Sequence, residues 1–227
     1  MNDHKKVLLL VGSPRGQKSV SFSLGNYLLN RLAEKEFRTE ILYPHRMLNS
    51  ERGLAALFQA LENADIIILV SPLYVDSSPA PVIRTMELIH SHRSAFLGNK
   101  PIRFLAISNC GFPEPGHNAA ASAIYRRFAS ESGFQWAGCL TVGGGGSLDG
   151  KPLEQAGSKA KILREALDLI AVSLAEGGII PPEADALLSK PFMPIWLYTL
   201  VGNMMFKWEA RKNGVRNQMK NRPYKEI

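Results

Sequence analysis

Six residues of one short segment could do chemistry together. Ser13, Arg15, Lys18, Ser19, Ser21 and Ser23 crowd the junction, with a loop over Gly12–Ser21, between the apolar run Val7–Val11 and a helical pattern marked by Leu24, Leu28 and Leu32. Hydroxyls and a fork of guanidinium donors are what a phosphate monoester accepts from. The N-terminus of the following helix adds uncommitted N–H groups and a favourable dipole. An ordinary helix N-cap with solvated charges would need one of these serines; four serines with two cations point to phosphate. Two familiar phosphate loops are excluded by spacing. In G-x-x-x-x-G-K-[ST] the second glycine directly precedes the lysine, whereas Gln17 stands before Lys18 and Gly16 is one place early. The next buried strand, Ile66–Val70, runs into Ser71-Pro72 and not into a magnesium-binding Asp. Gly12 and Gly16 also miss the spacing of the dinucleotide motif G-x-G-x-x-G.

Two further segments belong with this first loop. Ser71–Pro81 reads SPLYVDSSPAP and carries Tyr74 with its flanking prolines; Ser108–Asn118 reads SNCGFPEPGHN and contains Gly111 and Phe112. One cationic, hydroxyl-rich end and two walls for something flat and apolar describe a site for a mononucleotide with a large ring.

The elements that must position these loops are legible as periodicities. Val7–Val11, Ile66–Val70 and Phe104–Ile107 are short continuous apolar runs, the signature of strands buried on both faces of a parallel sheet. Thr39–Tyr43 reads as a more exposed second strand and Phe134–Val142 as a fifth. Between them, Leu24, Leu28 and Leu32 recur in steps of four, and Leu54, Leu57, Phe58 and Leu61 keep a helical rhythm. So do Val82, Met86 and Ile89, and then Leu163, Leu167, Ile170 and Leu174. Pro79 and Pro81 suit the first turn of a helix. Five β–α pairs over residues 5–176 predict a doubly wound α/β sheet with right-handed crossovers. In such a sheet ligands bind beyond the carboxyl ends of the strands, where all three loops fall. The glycine run Gly143–Gly146 after the fifth strand reads either as a flexible loop or as a ligand-lining one.

Composition narrows the function classes. The 227 residues hold two cysteines, Cys110 and Cys139, too few for a disulfide framework or a cysteine-bound cluster, and suited to a reducing cytosol. The apolar run at the start is too short for a signal peptide, and no stretch reaches the roughly 20 apolar residues of a transmembrane helix. The net charge of +7 is concentrated: residues 207–227 hold seven Lys/Arg against two Asp/Glu, which leaves the rest at +2. Without a recognition motif this does not describe a nucleic-acid binder. His4, His45, His90 and His92 show no metal-ligand arrangement. His117 is a lone loop histidine with no catalytic assignment, and Cys110, lacking a C-x-x-C partner, reads as a small inert buried thiol.

With the loops placed, the chain resembles the flavodoxin-like NAD(P)H-dependent FMN reductase family. The resemblance rests on G-S-P-R-x-x-x-S-x-S (Gly12-Ser13-Pro14-Arg15 with Ser19 and Ser21) and on S-P-L-Y-x-x-x-x-P (Ser71–Tyr74 with Pro79). It covers roughly residues 5–176. It implies a three-layer α/β/α sandwich with a five-stranded parallel sheet in the order 2-1-3-4-5. It also implies a noncovalent FMN, with NADPH or NADH as electron donor. Position by position, Ser13, Arg15, Ser19 and Ser21 would hold the phosphate. Pro72, Leu73, Tyr74 and Val75 would lie along the ring, and Asn109, Cys110 and Gly111 would form the third wall. The family often has Asn between the two serines of the first loop; Val20 stands there in this chain and would contribute its backbone N–H alone.

The flavin would carry the hydride chemistry, so no catalytic acid–base pair is required and none is assigned. The expected activity is transfer of electrons from NAD(P)H through FMN to a small acceptor such as FMN or a quinone. A flavodoxin-type electron carrier is the alternative; the basic tail speaks against it, since such carriers tend to be acidic. An iron–sulfur flavoprotein would need a cysteine cluster that two separated cysteines cannot supply. The expected division is a flavin-binding domain over residues 1–180 and a helical C-terminal extension with a basic tail over 181–227. In the extension, Leu197, Leu200, Val201, Met204 and Trp208 make an apolar helical stripe. It could close a homodimer, dock on its own domain, or lie on a membrane surface with the basic tail toward anionic lipid.

Overall fold

The computed structural model describes residues 4–96, 100–148, 150–157, 159–191 and 193–222. The chain divides into two compact units, Met1–Phe192 and Met193–Ile227. In the first, the elements run β1 (Lys6–Val11), α1 (Val20–Ala33), β2 (Arg38–Leu42), α2 (Pro44–Met47), α3 (Glu51–Asn63) and β3 (Ile66–Pro72). They continue with α4 (Ala80–Ser91), α5 (Arg93–Phe96), β4 (Arg103–Asn109), α6 (Ala119–Glu131), β5 (Gln135–Val142), α7 (Lys159–Ala175) and α8 (Pro182–Leu188). All five strands pair in parallel in the order β2-β1-β3-β4-β5. This is the flavodoxin-like arrangement expected from the alternation and the resemblance.

The continuous apolar strands make sense because the sheet has a core on each side. Along β1 and β3 successive side chains alternate between faces. Val7, Leu9, Val11, Ile66, Ile68 and Val70 join α1 and α7 in one cluster; Leu8, Leu10, Ile67 and Leu69 join α3, α4 and α6 in the other. Each fully buried Leu or Ile contributes about 1.5–3 kcal/mol of transfer free energy. β2, at the edge, is the exposed strand its sequence suggested. In β5, the register against β4 jumps between Phe104 and Leu105, and Gly138 takes a φ of 115°. A Cβ there would stand 3.0 Å from Ile180, so the segment leading into α8 packs directly on the bulge.

The second unit holds α9 (Ile195–Lys212) and a single 3-10 turn, Arg216–Gln218. Its described residues are nearly all exposed apart from Ala210. Residues 223–227, the last part of the basic tail, lie outside the described residues. Among the described residues no helix is long and apolar enough to cross a membrane.

Candidate functional site

The sheet order reverses between β1 and β3. The chain leaves β1 toward β2 on one side and returns to β3 on the other, so the loops after β1 and β3 diverge and leave a crevice at their carboxyl ends. Gly12 closes its base. A Cβ there would lie 2.6 Å from Val82 Cγ2 and 3.0 Å from Ser71 Oγ, so only glycine lets the first two loops approach this closely.

The first loop is a tight turn whose donors divide into committed and uncommitted sets. Gly16, at φ 56°, donates to Ser13 O at 3.0 Å. Ser19 caps α1: its hydroxyl donates to Gly16 O at 2.6 Å and accepts from Phe22 N at 3.1 Å. Ser23 donates back to Ser19 O. Ser13, Ser19 and Ser21 are all buried, whereas Arg15 and Lys18 are exposed and Val20 is half-buried. Among the described residues, the backbone N–H groups of Ser13, Val20 and Ser21 have no acceptor, and the hydroxyl protons of Ser13 and Ser21 have none either. Buried hydroxyls, two uncommitted N–H groups at the start of α1, a third at Ser13 and a guanidinium are the donor set a phosphate dianion needs, so these residues fit the phosphate end of FMN.

Asn109, at the end of β4, ties the three loops together. Its side-chain amide donates to Ser21 Oγ at 3.0 Å and to Ser71 O at 3.0 Å, and its backbone carbonyl accepts from Leu73 N at 2.8 Å. Beneath it runs a buried polar layer: Ser71 bonds Ser78 at 3.0 Å, and Ser78 bonds the hydroxyl of the fully buried Tyr125. Burial holds the Tyr125 phenol above its ordinary range, against the lowering effect of Ser78. Ser108 donates to Asn118 Oδ1 at 2.8 Å, and Asn118 in turn donates to Pro115 O and toward Cys110 Sγ.

The second loop presents a hairpin-like tip. Tyr74 N and Ser77 O bond at 2.7 Å, with Val75 at φ 47° and Asp76 at φ 62° between them. Both central residues have positive φ, as in a type I′ turn. Val75 is 97% exposed and Tyr74 is 49% exposed, while Leu73 turns in against the core and Pro72 is half-buried. Leu73 and Tyr74 have committed their N–H groups. Those of Val75 and Asp76 have no acceptor among the described residues, so the donors this tip can offer a ring are at 75 and 76.

In the third loop Cys110 is buried, its N–H donates to Val142 O, and its sulfur sits among Phe112 O, Glu114 O and Asn118. Burial raises its thiol pKa. Its N–H and its sulfur are both committed within the protein, so Cys110 shapes the third loop and offers a ligand no free donor. A Cβ on Gly111 would meet open space. Phe112 is exposed and tilts against the His117 ring at 4.8 Å between centroids.

Two further contributors stand beside these loops, one without any signal in the spacing and one, the glycine run, that the sequence left as either flexible or ligand-lining. Arg46, on α2, lies over the Tyr43 ring at 4.7 Å, and its Nη2 would stand 3.5 Å from a Cβ on Gly16. It adds a second guanidinium beside the first loop. The glycine run after β5 is packed against the site: a Cβ on Gly143 would lie 2.3 Å from Pro113 O. One on Gly145 would lie 3.2 Å from Cys110 O and 3.4 Å from both Asn109 Oδ1 and Val20 Cγ1. One on Gly150 would lie 2.4 Å from Lys18 O. Gly145 N also bonds Cys110 O at 2.8 Å. These glycines let a fourth loop rest on the backbone of the first and third. Among the described residues no group of His, Cys, Asp and Glu is arranged to hold a metal ion.

Residues 5–125 match the sequence model of a family described as NADPH-dependent FMN reductase. No match was found among curated protein sequences. Among solved structures, the chain is similar in fold to an NAD(P)H:quinone oxidoreductase from Methanothermobacter marburgensis, at 14% identity and a TM-score of 0.54, over 75% of this chain and 99% of that one. It is likewise similar to a flavodoxin, WrbA-like protein from Agrobacterium tumefaciens, at 14% identity and a TM-score of 0.53, over 76% and 98%. RosB, solved with 8-demethyl-8-formylriboflavin-5'-phosphate bound, matches at 12% identity with a TM-score of 0.56, over 96% of this chain and 89% of that one.

Proposed function

The chain belongs to the NADPH-dependent FMN reductase family, flavin-dependent oxidoreductases by type, and on that premise we propose that it uses bound FMN to pass electrons from NADPH or NADH to a small acceptor. FMN itself, a quinone or a similar compound would serve as acceptor. The observation that carries this reading is the Asn109 junction, which fastens Ser21, Ser71 and Leu73 around one crevice while the N–H groups of Ser13, Val20 and Ser21 stay uncommitted. When bound, the flavin supplies the hydride-accepting chemistry. The chain's own residues bind and orient it. Ser13 and Ser21, the N-terminus of α1, Arg15 and Arg46 hold the phosphate; Ser19 shapes the loop as its cap. Tyr74 walls the ring, and the N–H groups of Val75 and Asp76 stabilise negative charge that develops on it. Gly143–Gly145 brings the fourth loop close and helps exclude water.

The family supports the reductase reading over that of a flavodoxin-type carrier. Two chains would assemble as a homodimer involving the C-terminal extension, in a cytosol reducing enough to keep Cys110 and Cys139 as the free thiols they are. The test is the visible spectrum of protein incubated with FMN and desalted, followed by NADPH or NADH without oxygen. A retained flavin band that bleaches with either nucleotide is expected. A retained band that neither nucleotide bleaches would make the protein a carrier. A protein that shows neither a retained band nor saturable binding in direct FMN titration would overturn the assignment of the crevice.

A further inference from the structure

α9 carries apolar side chains on every side. Trp196, Leu200, Met204 and Trp208 form one ridge at i, i+4 spacing. Val201 and Met205 lie beside it, and Ile195 and Phe206 stand on the opposite side; all eight are 42–69% exposed. Apolar surface this extensive on an exposed helix marks a face that a further surface covers. A helix lying in a membrane surface keeps a charged face toward water, yet Ile195–Phe206 has no charged residue on any face. The charge follows along the axis: Lys207–Arg222 holds six Lys/Arg and one acid. None of the six is in an ion pair among the described residues.

The first unit offers a complement. α7 buries one face in the core. On the other, Ile162, Glu165, Leu169, Val172 and Glu176 recur at steps of three and four, and the three apolar ones are 37–48% exposed. In a chain of net charge +7, the stretch Pro152–Ser189 is acidic, with six Asp/Glu against three Lys/Arg. Asp168 is paired with Arg31 at 2.9 Å, while Glu165, Glu176, Glu183 and Asp185 have no ion-pair partner among the described residues. The two helices also match in length, about 27 Å for the 18 residues of α9 and about 26 Å for the 17 of α7.

We propose that α9 is an exchanged arm. In a homodimer each arm lays its Trp196–Leu200–Met204–Trp208 ridge along the Ile162–Leu169–Val172 stripe of a second copy, and its basic end faces the acids of that copy's α7 and α8. This rests on the two-chain assembly proposed above, and adds the surface on which it forms. Sedimentation equilibrium on full-length variants tests it independently of any flavin. Leu200→Asp with Met204→Asp removes the ridge. Glu165→Lys with Glu176→Lys, and separately Lys207→Glu with Arg211→Glu, each put like charges in contact. Each set raises the dimer dissociation constant roughly tenfold or more. Combining the two charge-reversed sets restores much of the affinity, which damage to either unit alone would not allow. Far-ultraviolet circular dichroism checks that each variant is folded. A dimer unaffected by all three sets overturns the arm and leaves the assembly standing. A monomeric parent overturns both, and a monomer that pellets with phosphatidylserine vesicles assigns α9 to lipid.

Discussion

Asn109 commits both amide hydrogens to the protein, one to the Ser21 hydroxyl and one to the Ser71 carbonyl. Ser21 is thus held in place from one side while its own proton and its N–H remain for a ligand. Ser21→Ala removes a hydrogen bond to a charged group and should weaken FMN binding by about 1.5–3 kcal/mol, or roughly ten- to a hundredfold; it also leaves a buried Asn109 N–H without its acceptor, so the stability of the fold should fall by about 1–3 kcal/mol as well. Arg15→Ala and Arg46→Ala should each weaken it in the same direction. Titration by quenching of flavin fluorescence checks all three, and unchanged affinity in Ser21→Ala and Arg15→Ala together would remove the first loop from the site. The serines and Arg15 were legible because several donors stand close together in sequence. Arg46 was not, since only the return of the chain through β2 brings it to Gly16. Nor could spacing separate a serine that caps a helix from one that keeps its proton; both are serines before a helical pattern, and the distinction lies in the geometry of Ser19 and Gly16.

At the scale of elements, the strands were the most legible part. A strand buried on both faces has no polar alternation to confuse with anything else, and β1, β3 and β4 appear where the apolar runs placed them. Short helices such as α2 and α8 span too few turns to show a period. The tip of the second loop was legible as a wall but not as a turn type. Positive φ at two successive residues favours Asn-Gly, and the chain has Val75-Asp76. A β-branched residue in this region is strained, and Val75 gains nothing from burial in return. Val75→Asn should therefore stabilise the protein by about 1 kcal/mol, since Asn tolerates left-handed backbone. That corresponds to a rise in Tm of about 2–4 °C in scanning calorimetry. A lower Tm would mean that the exposed valine makes a contact the fold needs.

For the molecule as a whole, titration of a half-buried thiol adds a pH dependence on the alkaline side. Burial, opposed by a hydrogen bond from Ser122, pushes the Cys139 thiol from 9.0 up to about 11. The folded state therefore keeps a proton that the unfolded chain gives up first. The associated stability is fully present below pH 9 and is lost between there and about pH 11. Urea unfolding across this range should show stability falling with pH, and Cys139→Ala should flatten part of the slope; an equal slope in both proteins would exclude the thiol as a source. The two cores on either side of the sheet carry a consequence for alignment. β3 is apolar toward both, so a slip of one residue would move Ile67 into the place of Ile68 without exposing a polar group or burying one. Hydrophobicity alone does not hold this strand in line. The polar residues at its ends do: Asp65 accepts from Lys6 N at 2.6 Å before it, and Ser71 is fastened to Ser78 after it. These end pins set where Pro72–Val75 emerges, and so the place of the ring wall is decided by hydroxyl and carboxylate at the tips of an otherwise unmarked rod.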